Sequence, residues 1–142
     1  FDRMLQMVKN TPQFFRNMDP EFVPINSYAG FVYFRKGQLK KAKREYEKSL
    51  EVHPTNIYAL RSLALVHLRM GNTEKGKELL DKALSIVPTF ASGLKNLSIF
   101  YEKQGELEKS YETLQKIRSE DSSDEIKKRM EYLKAKIESG NN

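Results

Sequence analysis

The sequence has no cysteine and no tryptophan, and its 142 residues include only two histidines. The absence of cysteine excludes disulfide bonds and thiolate metal sites, so redox chemistry does not indicate the compartment. Two histidines, His53 and His67, are too few for a histidine-based metal site. We therefore expect no metal and no cofactor in this chain.

Long apolar runs are also missing from the sequence. No run approaches the roughly 20 residues that a membrane-spanning helix needs, and no segment has the pattern of a signal peptide. The composition predicts a soluble domain, and its localisation stays open because any leader or anchor would lie outside this chain. The hydrophobic content of 39% is enough for one compact domain. The net charge of +6 favours acidic partners.

A repeat of 34 residues runs through most of the sequence. Gly37, Gly71 and Gly105 are spaced by this step, and Pro20, Pro54 and Pro88 follow the same step in a second phase. Each glycine interrupts a helical apolar pattern that restarts about two residues later. A glycine such as Gly37 can take the left-handed conformation that ends a helix. Further columns contain mostly small or mostly large residues: Gly30/Ala64/Ser98, Tyr33/His67/Tyr101, Ala42/Gly76/Ser110 and Tyr46/Leu80/Leu114.

The period, the two-helix unit and these columns resemble the tetratricopeptide repeat (TPR) family. In the middle repeat the matching residues are Leu60, Leu63, Ala64, His67, Gly76, Leu80, Ala83 and Pro88. The family's tryptophan is replaced in all three repeats, by Asn26, Leu60 and Leu94. The resemblance implies an all-α fold, a right-handed superhelical solenoid of helix-turn-helix repeats.

The repeat register predicts five parts of the chain. Residues 1–22 are interpreted as an apolar N-terminal cap or degenerate repeat; the alternative is a segment lying in its own or a neighbour's groove, where it could cause self-association. The three TPRs follow at 23–56, with helices near Pro24 to Lys36 and Leu39 to Val52, at 57–90 and at 91–122. Residues 123–142 form the C-terminal capping helix and tail.

The capping helix has its own local signals. Ser122 and Glu125 have the spacing of a capping box, which marks a helix start. The single apolar stripe of this helix consists of Ile126, Met130, Leu133 and Ile137. We expect the stripe to cover the last repeat while charged residues face water.

One stretch imitates a nucleotide-binding motif. Gly71 to Lys77 has the spacing of a phosphate-binding loop, but Glu78 stands where that motif needs a Ser or Thr for Mg²⁺. The preceding segment also has helical spacing where the motif needs a strand. We therefore reject nucleotide binding, and we interpret His67 as a packing residue.

The family pattern implies a concave groove lined mainly by the first helix of each repeat. Apolar and basic residues alternate there, which suits a peptide or helix with hydrophobic anchors and acidic flanks. The alternative is that Leu65, Leu68 and Ile99 are simply partly buried between helices. The implied groove residues are Ser27, Phe31, Phe34, Arg35, Tyr58, Arg61, Leu65, Leu68, Arg69, Lys95, Ile99, Glu102 and Lys103.

Some TPR proteins grip the C-terminal carboxylate of heat-shock chaperones with Lys, Asn and Arg. The corresponding positions here hold Ser27, Phe31, Ser62, Ser92 and Asn96. None matches, so the sequence disfavours that mode of binding.

The resulting prediction is a non-enzymatic protein-protein interaction module or scaffold without a small-molecule substrate. Two alternatives stay open. The chain could be a nucleic-acid-binding helical repeat, although acidic residues interrupt its basic ones. It could also be the regulatory fragment of a larger enzyme.

Overall fold

The computed structural model describes residues 25–140, and these residues contain α-helices and one short 3₁₀-helix but no strand. The predicted N-terminal cap at 1–22 lies outside the described residues. The first helix is slightly shorter than predicted, because it ends at Arg35 rather than Lys36. The helices are α1 (Ile25–Arg35), α2 (Leu39–Val52), α3 (Ile57–Arg69), α4 (Thr73–Ile86), α5 (Ala91–Lys103), α6 (Leu107–Gln115), the 3₁₀-helix Ser119–Asp121, and α7 (Asp124–Gly140).

The same turn ends α1, α3 and α5. After α1, the Gly37 N–H donates to the Phe34 carbonyl at 3.0 Å and the Gln38 N–H donates to the Tyr33 carbonyl at 2.9 Å. This pair of bonds is a Schellman motif, which satisfies the last carbonyls of the helix. It requires a positive φ at the glycine, and φ is +76°, +90° and +80° at Gly37, Gly71 and Gly105. The predicted left-handed glycine is therefore confirmed.

The described residues divide into two compact units, unit 1 up to Leu79 and unit 2 from Leu80 onwards. In unit 1, α2 packs against both α1 and α3. Ala42 is fully buried, and a Cβ added to Gly30 would lie only 2.8 Å from the Tyr46 ring. The small residues of these columns therefore allow α1 and α2 to approach closely, as the sequence predicts.

In unit 2, α6 packs against both α5 and α7. Its core contains Leu94 of α5, Leu114 of α6, and Ile126 and Leu133 of α7, all buried. Met130 packs against the same cluster, and Ile137 is half-buried. The predicted apolar stripe of the C-terminal helix thus covers the last hairpin.

The start of α7 differs from the prediction by one residue. The Ile126 N–H donates to Ser123 Oγ at 3.2 Å, so Ser123 is the N-cap and the helix begins at Asp124. Ser122 does not cap it, and the predicted capping box with Glu125 is wrong. Two adjacent serines offer the same cap chemistry, so the sequence alone could not choose between them.

Candidate functional site

In unit 1, aromatic rings and guanidinium groups alternate on α1 and α3. The Arg69 guanidinium lies 4.5 Å from the centre of the Phe34 ring, which links α3 to α1. Phe31 lies about one helical turn before Phe34 on α1. The Arg35 guanidinium lies 6.0 Å from the centre of the Phe31 ring. Both distances are within the range of cation–π attraction. We call Phe31, Phe34, Arg35 and Arg69 the aromatic–arginine face.

This face is open to solvent. Phe31 is 52% exposed, and Arg35 and Arg69 are also exposed. Among the described residues, no carboxylate lies at ion-pair distance from either arginine. An exposed phenyl ring beside exposed positive charge can contact both an apolar and an acidic group.

Arg61 and Tyr58, also predicted for the groove, are half-buried and make contacts within the fold. Burial lowers the pKa of Arg61, while the nearby Tyr46 and Tyr58 act in the opposite direction. Burial also raises the pKa of Tyr46, whose side chain is hydrogen-bonded to that of Ser62. Arg61 is therefore held within a polar network, unlike the more open Arg35 and Arg69.

Two of the predicted groove residues point towards the neighbouring helix of their own hairpin. Ser27 is buried, and its hydroxyl lies 2.7 Å from that of Ser49 on α2. Leu68 packs against α4, because a Cβ added to Gly76 would lie 2.6 Å from the Leu68 side chain. Placing Ser27 in the groove was wrong, and for Leu68 the alternative of burial between helices fits the contacts. Leu65 is half-buried.

In unit 2, helix α7 supplies charged partners to the predicted groove residues of α5. Lys95 Nζ lies 2.5 Å from a carboxylate oxygen of Glu125, and Glu102 is paired with Arg129. The hydrogen bond and charge of Lys95 lower the pKa of Glu125. Lys95 is thus already neutralised within the chain.

The other two predicted residues of α5 are Ile99 and Lys103, and Lys103 has no carboxylate at ion-pair distance among the described residues. Ile99 is half-buried and Lys103 is exposed. Sequence reasoning missed the ion pairs between α7 and α5, although a signal exists: stepping the repeat register once more places Arg129 in the column of Arg61 and Lys95.

A second set of pairs recurs between the two helices of a hairpin. Lys41 Nζ lies 5.6 Å from the Tyr33 ring, and Lys109 Nζ lies 5.8 Å from the Tyr101 ring in the equivalent position. In the middle repeat, His67 takes the place of the tyrosine.

His67 is buried, as expected for a packing residue, and its Nδ1 lies 3.3 Å from the side-chain nitrogen of Asn72. Burial lowers the pKa of His67, and so do the nearby Lys43 and Lys75, while Glu47 opposes the shift. The neutral imidazole is therefore favoured in the folded chain.

The family model described as Psidin, N-terminal TPR repeats region, matches residues 31–135. This chain belongs to that TPR family. A search among curated protein sequences finds no match.

Solved TPR structures have the same fold as this TPR chain. The Sgt2 TPR domain from Aspergillus fumigatus superposes with a TM-score of 0.73 and 23% identity, over 82% of this chain and 79% of that one. The first TPR of Spaghetti (RPAP3), bound to the HSP90 peptide SRMEEVD, gives 0.71 and 14% identity, over 80% and 90% of the two chains. MamA gives 0.64 and 20%, over 81% and 65%. The predicted all-α helical repeat fold is confirmed.

The described residues contain neither a membrane-spanning helix nor a cluster of metal ligands. None of the helices there is long and apolar enough to cross a membrane. Within the same residues, no group of three or more His, Asp or Glu side chains could hold a metal ion.

Proposed function

We propose that this TPR chain is a non-enzymatic interaction module whose aromatic–arginine face binds a segment of a partner protein with apolar anchors and acidic flanks. The observation that carries the proposal is the Arg69–Phe34 pair at 4.5 Å beside the exposed Phe31 ring. The segment can be extended or helical, since both modes combine apolar anchors with charged flanks.

The chemistry of these side chains explains the expected preference. Arginine and aromatic residues are enriched among the residues that carry most of the binding energy in protein interfaces. A guanidinium group can donate two parallel hydrogen bonds to one carboxylate, and its stacking on a ring fixes the plane of the donors. Arg69 is held in this way by Phe34, so less side-chain entropy is lost when a carboxylate binds.

One structural neighbour supports this proposal. The peptide bound by the Spaghetti TPR has the sequence SRMEEVD, which combines three acidic residues with Met and Val. The same class of segment would suit the face proposed here. The chaperone-type carboxylate grip itself is disfavoured, because Ser27, at one of its positions, is buried against Ser49.

We assign supporting roles to the remaining predicted groove residues. Tyr58, Arg61 and Leu65 would line the deeper part of the unit 1 site. In unit 2, Ile99 and Lys103 would offer one apolar and one basic contact. Lys95 would engage an acidic partner only by exchanging its bond with Glu125.

The test is a selection from an unbiased peptide-phage library on the immobilised chain, followed by affinity measurements with the enriched peptides made synthetically. We expect enrichment of Asp and Glu beside Leu, Met or Phe. The variant Arg35→Glu/Arg69→Glu should weaken these peptides at least tenfold at low salt, and less at high salt where exposed charges are screened. Phe31→Ser should weaken them at every salt concentration.

The matched control is Lys40→Glu/Arg44→Glu, which makes the same charge change at two exposed positions of α2. It should alter binding less than twofold. Equal losses in both double variants would mean that only net charge matters. Binding that tracks salt, ignores the peptides and is competed by nucleic acid would favour the nucleic-acid alternative.

A further inference from the structure

Unit 2 has a groove whose lining residues belong to α6, to α7 and to the turn before α6. One cleft of about 350 Å³ lies near the turn at Gly105, and another of about 310 Å³ lies further along α6. Glu108 and Ile137 line both clefts, so the two clefts adjoin at these residues.

The floor of this groove is apolar and its rim is acidic. Leu107, Tyr111 and Ile137 are half-buried and provide the floor. The exposed carboxylates of Glu108, Glu112 and Glu138 stand on the rim. We call these six residues the acidic groove.

The rim carboxylates are not neutralised within the described part of the chain. None of the three lies at ion-pair distance from a cation there.

Three lysines also line the two clefts, and one of them is paired with a carboxylate. Lys109 is paired with Glu106 at 3.4 Å, and Lys136 lies 5.6 Å from the Tyr132 ring. Lys136 keeps its charge beside this neutral ring, so Lys134 and Lys136 together face the three unpaired acids. The groove is therefore locally acidic on a chain whose net charge is +6.

We infer that the acidic groove binds a second partner segment of the opposite chemistry: an amphipathic stretch with an aliphatic or aromatic anchor flanked by Lys or Arg. Charge complementarity carries the choice of occupant, because unpaired carboxylates on both helices attract cations on either side of an apolar anchor. The same carboxylates repel nucleic acids and anionic lipids, which disfavours phosphate-bearing partners. The TPR chain then holds a basic segment at this groove and an acidic segment at the aromatic–arginine face.

The experiment uses a fluorescein-labelled synthetic peptide of Leu and Lys at helical spacing, with binding to the full chain followed by fluorescence anisotropy. The double variant Glu108→Gln/Glu112→Gln should weaken binding roughly fivefold at low salt, since each exposed ion pair contributes a factor of about 1.5 to 5. Ile137→Ala should weaken it at low and high salt alike, because loss of apolar contact is not screened.

Two controls separate this groove from unspecific attraction. Glu51→Gln/Glu74→Gln makes the same charge change at exposed positions of unit 1 and should alter affinity less than twofold. A peptide of the same composition in scrambled order should bind at least fivefold more weakly. Equal binding of the scrambled peptide, or equal effects of the two double variants, would overturn the inference.

Two further readouts locate the site. Amide chemical-shift changes should concentrate on α6 and α7, and changes confined to unit 1 would contradict the groove. Concentration-dependent self-association that Glu108→Gln/Glu112→Gln abolishes would show that a second copy is the occupant, which also overturns the inference. The variant Arg35→Glu/Arg69→Glu, which should lose binding of acidic peptides, should bind the basic peptide as the parent does. Failure of the proposal for the aromatic–arginine face can therefore be told apart from failure of the proposal for the acidic groove.

Discussion

Ser98 of α5 and Ser110 of α6 hydrogen-bond to each other, with their hydroxyl oxygens 2.7 Å apart and both side chains fully buried. Each hydroxyl is also within reach of the other residue's backbone carbonyl, at 3.0 Å and 2.7 Å. The two hydroxyl protons are shared among these three contacts, so two of the hydrogen bonds are made at any one time. Ser98 and Ser110 occupy the two small-residue columns of the repeat, so this contact lies where α5 and α6 of the third hairpin pack together.

Replacing Ser110 should separate the polar and steric contributions of this contact. Ser110→Ala should cost about 1 kcal/mol, because Ser98 keeps the backbone carbonyl of residue 110 as an acceptor. Ser110→Leu should cost more, about 1 to 3 kcal/mol beyond that, because no space exists for the larger side chain. Urea unfolding of the two variants measures both values, and equal stabilities would contradict the close crossing.

Ala42 should be equally sensitive to added volume. It is fully buried at the crossing of α1 and α2, so Ala42→Leu should lower the free energy of unfolding by about 1 to 3 kcal/mol. Lys40→Leu, at an exposed position of the same helix, should change stability by less than about 0.5 kcal/mol. An Ala42 variant that unfolds like the parent would show that the repeat register is wrong.

The stability of the fold should depend on pH through His67. Burial and two nearby lysines lower the pKa of His67 below 6.5, so the unfolded chain binds a proton more readily than the folded one. The stabilisation is complete above pH 6.5 and is lost as the pH falls from there through the lowered pKa. Urea unfolding between about pH 7.5 and 5.5 measures this loss.

His67→Tyr, which places the residue of the other two repeats at this position, should reduce that pH dependence. Lys75 would then lie near a ring that attracts a cation, as Lys41 does at Tyr33. An unchanged pH profile in the variant would show that other groups cause the dependence.

Helix α7 should be required to keep unit 2 monomeric. Removing residues 123–142 uncovers Leu94 and Leu114, which Ile126 and Leu133 cover in the intact chain. We expect concentration-dependent association in sedimentation experiments. Leu133→Ala, which keeps the helix but removes a fully buried side chain, should cost about 2 to 5 kcal/mol. A monomeric truncated protein with unchanged melting temperature would refute the covering role of α7.

Much of the fold could be predicted because its determinants are local or periodic. Gly37 marks a helix end whose hydrogen bonds reach back only five residues. The small-residue columns specify where helices cross, since only small side chains fit there. Capping was less predictable, because Ser122 and Ser123 differ only in their position along the chain.

The candidate site was harder to predict than the fold. The family pattern assigns residues to a face but does not give their partners. The pairing of Lys95 with Glu125 joins residues 30 positions apart, and nothing in either local sequence indicates it. Ser27 was misplaced for the same reason, because its contact with Ser49 depends on how two helices pack. The Lys41 and Lys109 pairs could have been found, since these lysines follow the 34-residue step.

The three Schellman turns also bear on how the chain folds. Each turn closes with hydrogen bonds that span no more than five residues, so a hairpin can nucleate before any distant segment is in place. Because the same turn is present three times, no single hairpin has to form first. Gly37→Ala, which strains only the first turn, should then destabilise that hairpin while slowing overall refolding only slightly. Stopped-flow refolding can measure this robustness, which a chain with one obligatory nucleus would lack.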